Sequence, residues 1–99
     1  MKVLLAKGSG AATASLNAGR GKSESGTVLP VTLFLIGTVA SGKAVTLEYN
    51  SEGTTWVQCE VGDVGLQLDA TNSILVIDFP GSFRVSRAAD AGNVGVLIA

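Results

Sequence analysis

Two stretches of this chain, Leu33-Phe34-Leu35-Ile36 and Ile74-Leu75-Val76-Ile77, are apolar at every position. Successive side chains of an extended strand point to opposite faces. Each run therefore offers hydrophobic groups to both sides of a sheet. A sandwich strand ordinarily keeps one face wet. With 99 residues there is little chain to spare for covering a second face, since a domain of this size buries only about two-thirds of the surface its unfolded form exposes. Cover for the outer face must come from a neighbouring copy, or from loops and the N-terminal segment folding back.

Around these runs the pattern has period two. Val45, Leu47 and Tyr49 alternate with Thr46 and Glu48, and Phe83 and Val85 alternate with Arg84 and Ser86. Ser41-Gly42-Lys43 reads as a hairpin turn, and Asn50-Ser51-Glu52-Gly53 and Pro80-Gly81 as further turns. Turn signals recur about every 8 to 12 residues, the spacing of an all-β sandwich. No window carries a capped helical stripe, and no internal repeat is present. The expected fold is all-β, a single β-sandwich or jelly-roll-like domain. Cys59 lies in the strand-like run Thr55 to Cys59 and reads as a small buried hydrophobe.

Residues 8–27 are dominated by Gly, Ala, Ser and Thr, and Leu16 is their only large apolar side chain. Such a stretch offers little apolar area against its ordering entropy. The expectation is an extended, flexible N-terminal arm over residues 1–27, compatible with a short strand at Lys2–Ala6, ahead of a β-sandwich domain over 28–99. Leu16 and Arg20 are the arm's candidate contacts with a neighbouring subunit.

Composition excludes several functions. The chain has no histidine, so Ser-His-Asp and Cys-His nucleophile pairs and imidazole zinc sites are out. Seven basic and eight acidic residues leave a net charge of -1. That argues against the basic patch that nucleic acid needs and against electrostatic adhesion to membranes. One cysteine makes no internal disulfide. The apolar run after Lys2 ends at Lys7, too short for a leader, and no stretch approaches the ~20 apolar residues of a membrane span. Only 15% of residues are charged, against about 25% in an average domain, which fits a surface partly given over to association.

Three constellations bear on chemistry. Gly37-Thr38-Val39-Ala40-Ser41-Gly42-Lys43 fits the start of a phosphate-binding loop. That motif needs a hydroxyl after the lysine and a helix beginning there. Position 44 is Ala, and Ala44 to Tyr49 alternates as a strand does. Glu60, Asp63 and Asp69 surround one loop, but their spacing is not that of a twelve-residue calcium loop. Trp56 and Tyr49 fall on consecutive strands. They form a cross-strand core pair, or else they stack on sugar rings. No enzyme activity and no cofactor is expected.

The stretch AVTLEYNSEGTTWVQCEV (44–61), with FPGSFRVSRAADAGNVGVLIA (79–99), resembles small β-sandwich virion structural proteins of tailed bacteriophages, of the capsid decoration (cement) or head-fibre type. The resemblance covers roughly residues 28–99. It implies a non-enzymatic decoration protein, made in the host cytoplasm and residing on the capsid surface. Its partners would be further copies of itself, as a homotrimer, and the major capsid protein. Leu33, Phe34, Leu35, Ile36, Ile74, Leu75, Val76 and Ile77 are then the candidate self-association and capsid contacts. The alternative is a carbohydrate-binding or adhesive tail module that uses Trp56 or Tyr49.

Overall fold

The computed structural model describes residues 1–19 and 27–99. Its strands in chain order are β1 (Lys2–Gly8), β2 (Ala12–Gly19), β3 (Thr27–Val28), β4 (Val31–Val39), β5 (Val45–Asn50), β6 (Trp56–Gln58), β7 (Glu60–Val61), β8 (Val64–Gly65), β9 (Gln67–Leu68), β10 (Ile74–Ile77), β11 (Gly81–Arg87) and β12 (Gly92–Ile98). One sheet has the order β1-β12-β4-β10 and a second the order β3-β2-β11-β5-β6, with β9 also on β5; β7 and β8 make a separate hairpin.

The first half of the chain pairs with the second half in reverse. β1 pairs with β12, β2 with β11, β4 with β10, and β5 with β6 and β9, all antiparallel. A long antiparallel ribbon rolled so that its pairs alternate between two sheets is a jelly roll. The all-β sandwich expected from the alternation is therefore present, and its connectivity is the jelly-roll one.

The core lies between the sheets. Val31, Leu33, Ile77, Val94 and Val96 line it from the four-stranded side, and Val45, Leu47, Phe83 and Val85 from the other; each is at most 2% exposed. Cys59 is buried among them, as expected for a small hydrophobe.

The expected division at residue 27 does not match the fold. β1 belongs to the four-stranded sheet, and β2 lies inside the larger sheet, paired with β11 from Ala12↔Arg87 to Ala18↔Gly81. The segment taken for an arm has its own period-two pattern, written in small residues. Ala12, Ala14, Leu16 and Ala18 face inward, while Thr13, Ser15 and Asn17 face out. Small side chains suffice there because the bulk comes from β11, where Phe83 lies opposite Leu16 and Val85 opposite Ala14.

Arg87 fastens β1 and the turn that leads from it to β2. It is 7% exposed, and its guanidinium donates to the carbonyls of Gly10 (2.6 Å), Ala6 (2.9 Å) and Val94 (2.7 Å). One turn differs from expectation: Ser41-Gly42-Lys43 connects β4 and β5, strands of different sheets, so it closes no hairpin. Gly42 takes φ +73, and the Lys43 N–H donates to the Ala40 carbonyl at 3.0 Å. Asn50–Gly53 does close a true hairpin, β5 to β6.

Candidate functional site

The outer face of the four-stranded sheet carries a row of apolar side chains. Val3 on β1 lies opposite Leu97 on β12, Leu97 opposite Phe34 on β4, and Phe34 opposite Ile74 on β10. Residues directly opposed in antiparallel strands share a face, so these four cross the whole sheet on its solvent side. Val3 is 58% exposed and Ile74 56%, while Leu97 and Phe34 between them are half-buried by their neighbours. Ile36, half-buried, and Val76, 56% exposed, extend the row on either side.

The outer face of the second sheet is the reverse. Thr13, Ser15 and Ser86 point outward there, beside Thr46, Glu48 and Arg84. The Arg84 Nε donates to Glu48 Oε1 at 2.7 Å. The sandwich thus has one polar and one apolar outer surface. Scattered exposed hydrophobics are ordinary, but a contiguous row is the mark of an interaction surface.

The structure divides the residues singled out from the sequence. Phe34, Ile36, Ile74 and Val76 lie on this outer face. Leu33 and Ile77 are fully buried core residues, and Leu35 and Leu75 pack against the same core. These four cannot contact another molecule as side chains of the outer face, because period two sends them inward. Leu16 is likewise core, at 7% exposure opposite Phe83, and offers no surface contact. Arg20 lies outside the described residues. Sequence reasoning missed Val3 and Leu97. Their signal was present in the alternation of Val94-Gly95-Val96-Leu97-Ile98 and in the short strand at Lys2–Ala6.

Trp56 and Tyr49 do not form a core pair. Trp56 is opposite Asn50, and Tyr49 is opposite Val57, so the two rings occupy opposite faces of the hairpin. Trp56 is on the polar outer face, its ring covered by the Arg84 guanidinium 4.6 Å from the centroid. Tyr49, 40% exposed, lines a cleft of about 270 Å³ with Glu60, Phe79, Pro80 and Ser82. Phe79 meets Phe83 edge to face, with centroids 5.3 Å apart. Cys59 borders the same cleft, but burial, with the Glu48 carboxylate nearby, pushes its thiol above the ordinary range. That disfavours the nucleophilic thiolate.

Lys43 of the phosphate-loop-like motif is followed by a strand and pairs with Asp90 at 2.9 Å. No helix N-terminus stands there to cradle phosphate. Asp69 is engaged by its own turn. It accepts from the Gln67 side chain (3.0 Å), the Thr71 hydroxyl (2.8 Å) and the N–H groups of Thr71 (2.9 Å) and Asn72 (2.8 Å). These donors, the Gln67 side chain foremost, lower its carboxyl to about 2.

Among the described residues no helix is long and apolar enough to cross a membrane. Compared with known protein families, curated proteins and solved structures, the chain has no match.

Proposed function

We propose that this chain is a non-enzymatic structural protein of a bacteriophage virion, a decoration protein that self-associates and lies on the capsid surface. One observation carries the reading: the apolar row Val3–Leu97–Phe34–Ile74 on the outside of a sandwich whose other outer face is polar. Fully burying one side chain of this size is worth about 1.5–3 kcal/mol, so a partner that covers the row gains several such terms. Jelly rolls serve widely as building units of viral shells, which supports the reading by analogy of architecture. The surface offers a place to bind and no reacting group. Attachment is through the outer face of the sheet, with further copies of the chain and the major capsid protein as partners. A ring of three copies is one closed arrangement of such units.

The test is co-sedimentation with undecorated expanded shells of a tailed phage from the source of the sequence. The intact chain is expected to sediment with the shells, and Val3→Lys, which sets a charge in the row, to remain in the supernatant. Equal sedimentation of both proteins would remove the outer face from the proposal, and failure of both would remove the capsid.

A second reading has one specific observation in its favour. Tyr49 and Phe79 flank a cleft that also holds Glu60 and Ser82, a set able to stack on a sugar ring and hydrogen-bond its hydroxyls. Glycan-array binding that is lost in Tyr49→Ala would support an adhesive module. Trp56 has no part in it, since its ring is taken by Arg84.

A further inference from the structure

Building on the reading of this chain as a self-associating protein, we infer that two copies join antiparallel along β10, with Ile74 of each opposite Val76 of the other. The two edges of the four-stranded sheet are unlike. β1 is irregular, with register shifts between Val3 and Leu5 and between Leu5 and Gly8, and it carries Lys2 and Lys7. Bulges and lysines are devices that keep an edge from pairing. β10 has neither. Its four residues are all apolar, and its register with β4 is unbroken from Ile74↔Phe34 to Ile77↔Val31.

The direction of the backbone groups follows from the ladder. The Leu35 N–H donates to the Ser73 carbonyl at 2.8 Å. Antiparallel pairs alternate between bonded and non-bonded, so Leu75 and Ile77 turn their groups toward β4 and Ile74 and Val76 turn theirs away. Thr32, opposite Val76, agrees: it exchanges both of its bonds with Ala99 on the other side, at 3.1 and 2.9 Å. Ile74 and Val76 therefore present N–H and C=O along the open edge and their side chains on the outer face. Among the described residues no strand pairs with that edge.

A second observation lies beside it. A groove of about 280 Å³ runs along β10 toward the β7–β8 hairpin, lined by Val64, Leu66, Gln67, Ile74 and Leu75. Val64 on its rim is 68% exposed. An added strand fits if it offers free backbone groups at alternate positions, apolar side chains on the outer face, and one apolar side chain between them for the groove. β10 itself meets all three conditions. A two-fold axis at Leu75 sets Ile74 against the partner's Val76 and Val76 against the partner's Ile74, both as bonded pairs, and the partner's Leu75 enters the groove. Such an isologous contact closes with two copies. Strand addition of this kind takes affinity from main-chain bonds and specificity from side-chain pockets. The two sheets merge, the apolar row runs on into the second copy, and its outer face stays available for a shell. A pair thus replaces the ring of three expected from the sequence.

Light scattering of three proteins at tens of micromolar tests this. Val76→Pro removes one donor from the open edge and none from the ladder with β4, a place where proline is tolerated. Val3→Lys charges the outer face at the opposite edge. The wild type and Val3→Lys are expected at twice the chain's 10.0 kDa, and Val76→Pro at the monomer mass with its β circular dichroism intact. A second measurement does not depend on the proline being accommodated. Under oxidation, Ile74→Cys mixed with Val76→Cys should form a disulfide-linked pair, while either alone, or the wild type with its buried Cys59, should not. Val76→Pro at the wild-type mass, a three-copy mass, or no preference for the mixed disulfide would overturn the edge pairing. If Val3→Lys alone dissociates, self-association through the face stands and the edge inference falls. A monomeric wild type overturns both.

Discussion

Arg87 and Val94 join the two sheets: a guanidinium nitrogen on β11 donates to a carbonyl on β12 at 2.7 Å, both residues being buried. The same side chain also holds the carbonyls of Ala6 and Gly10. Replacing it leaves the buried Val94 carbonyl without this donor, and a buried group left unsatisfied costs about 1–3 kcal/mol; Ala6 and Gly10 are exposed, so water takes over their carbonyls. Arg87→Met should therefore lower stability by about 1–3 kcal/mol, read from the midpoint of urea denaturation. A change below about 1 kcal/mol would mean that water replaces the guanidinium.

Because β2 lies between β3 and β11, the N-terminal residues are part of the domain. Deleting residues 1–19 strips the pairing partner from seven residues of β11 and uncovers Phe83 and Val85. The shortened chain should lack cooperative thermal unfolding and near-ultraviolet dichroism. A folded, cooperative 20–99 chain would restore the N-terminal residues to the arm that the sequence suggested.

The strands with large residues were legible in the sequence. Val45 to Tyr49 and Phe83 to Arg87 alternate plainly, and they pair in the structure as neighbours. The runs at 33–36 and 74–77 were legible as two-sided, but composition alone did not show which four residues point out. Register decides that, and register depends on which strands meet. β2 was hidden because its inward residues are mostly alanine, which weighs little as a hydrophobic signal until Phe83 and Val85 are seen opposite. The edge at β10 was not readable at all, since an edge is a property of the sheet.

Lys43 tests the phosphate-loop resemblance. Its ion pair with Asp90 is solvent-exposed, and such pairs contribute about 0–1 kcal/mol. Lys43→Ala should shift stability by less than about 1 kcal/mol, and magnesium-ATP should leave the melting temperature of the wild type unchanged. A rise of several degrees with nucleotide would show that the turn binds phosphate after all.

Asp69 gives the fold an acid dependence. Its carboxyl is lowered from the ordinary 3.8 to about 2 by the donors of its turn. A group depressed in the folded state stabilises it fully above its unfolded pKa, and that contribution is lost as pH falls toward the folded value. Stability should decline between about pH 4 and pH 2, and Asp69→Asn should flatten that part of the profile. Denaturation midpoints across the range check it. An unchanged slope in the variant would assign the acid dependence to other carboxylates.

Self-association is the central claim, and the mass of the intact chain in solution tests it most directly. Multi-angle light scattering across a concentration series, into the tens of micromolar, should give a multiple of 10.0 kDa that falls toward the monomer on dilution. A mass of 10.0 kDa throughout the series would contradict it, because neither the row from Val3 to Ile74 nor the β10 edge would then bring copies together.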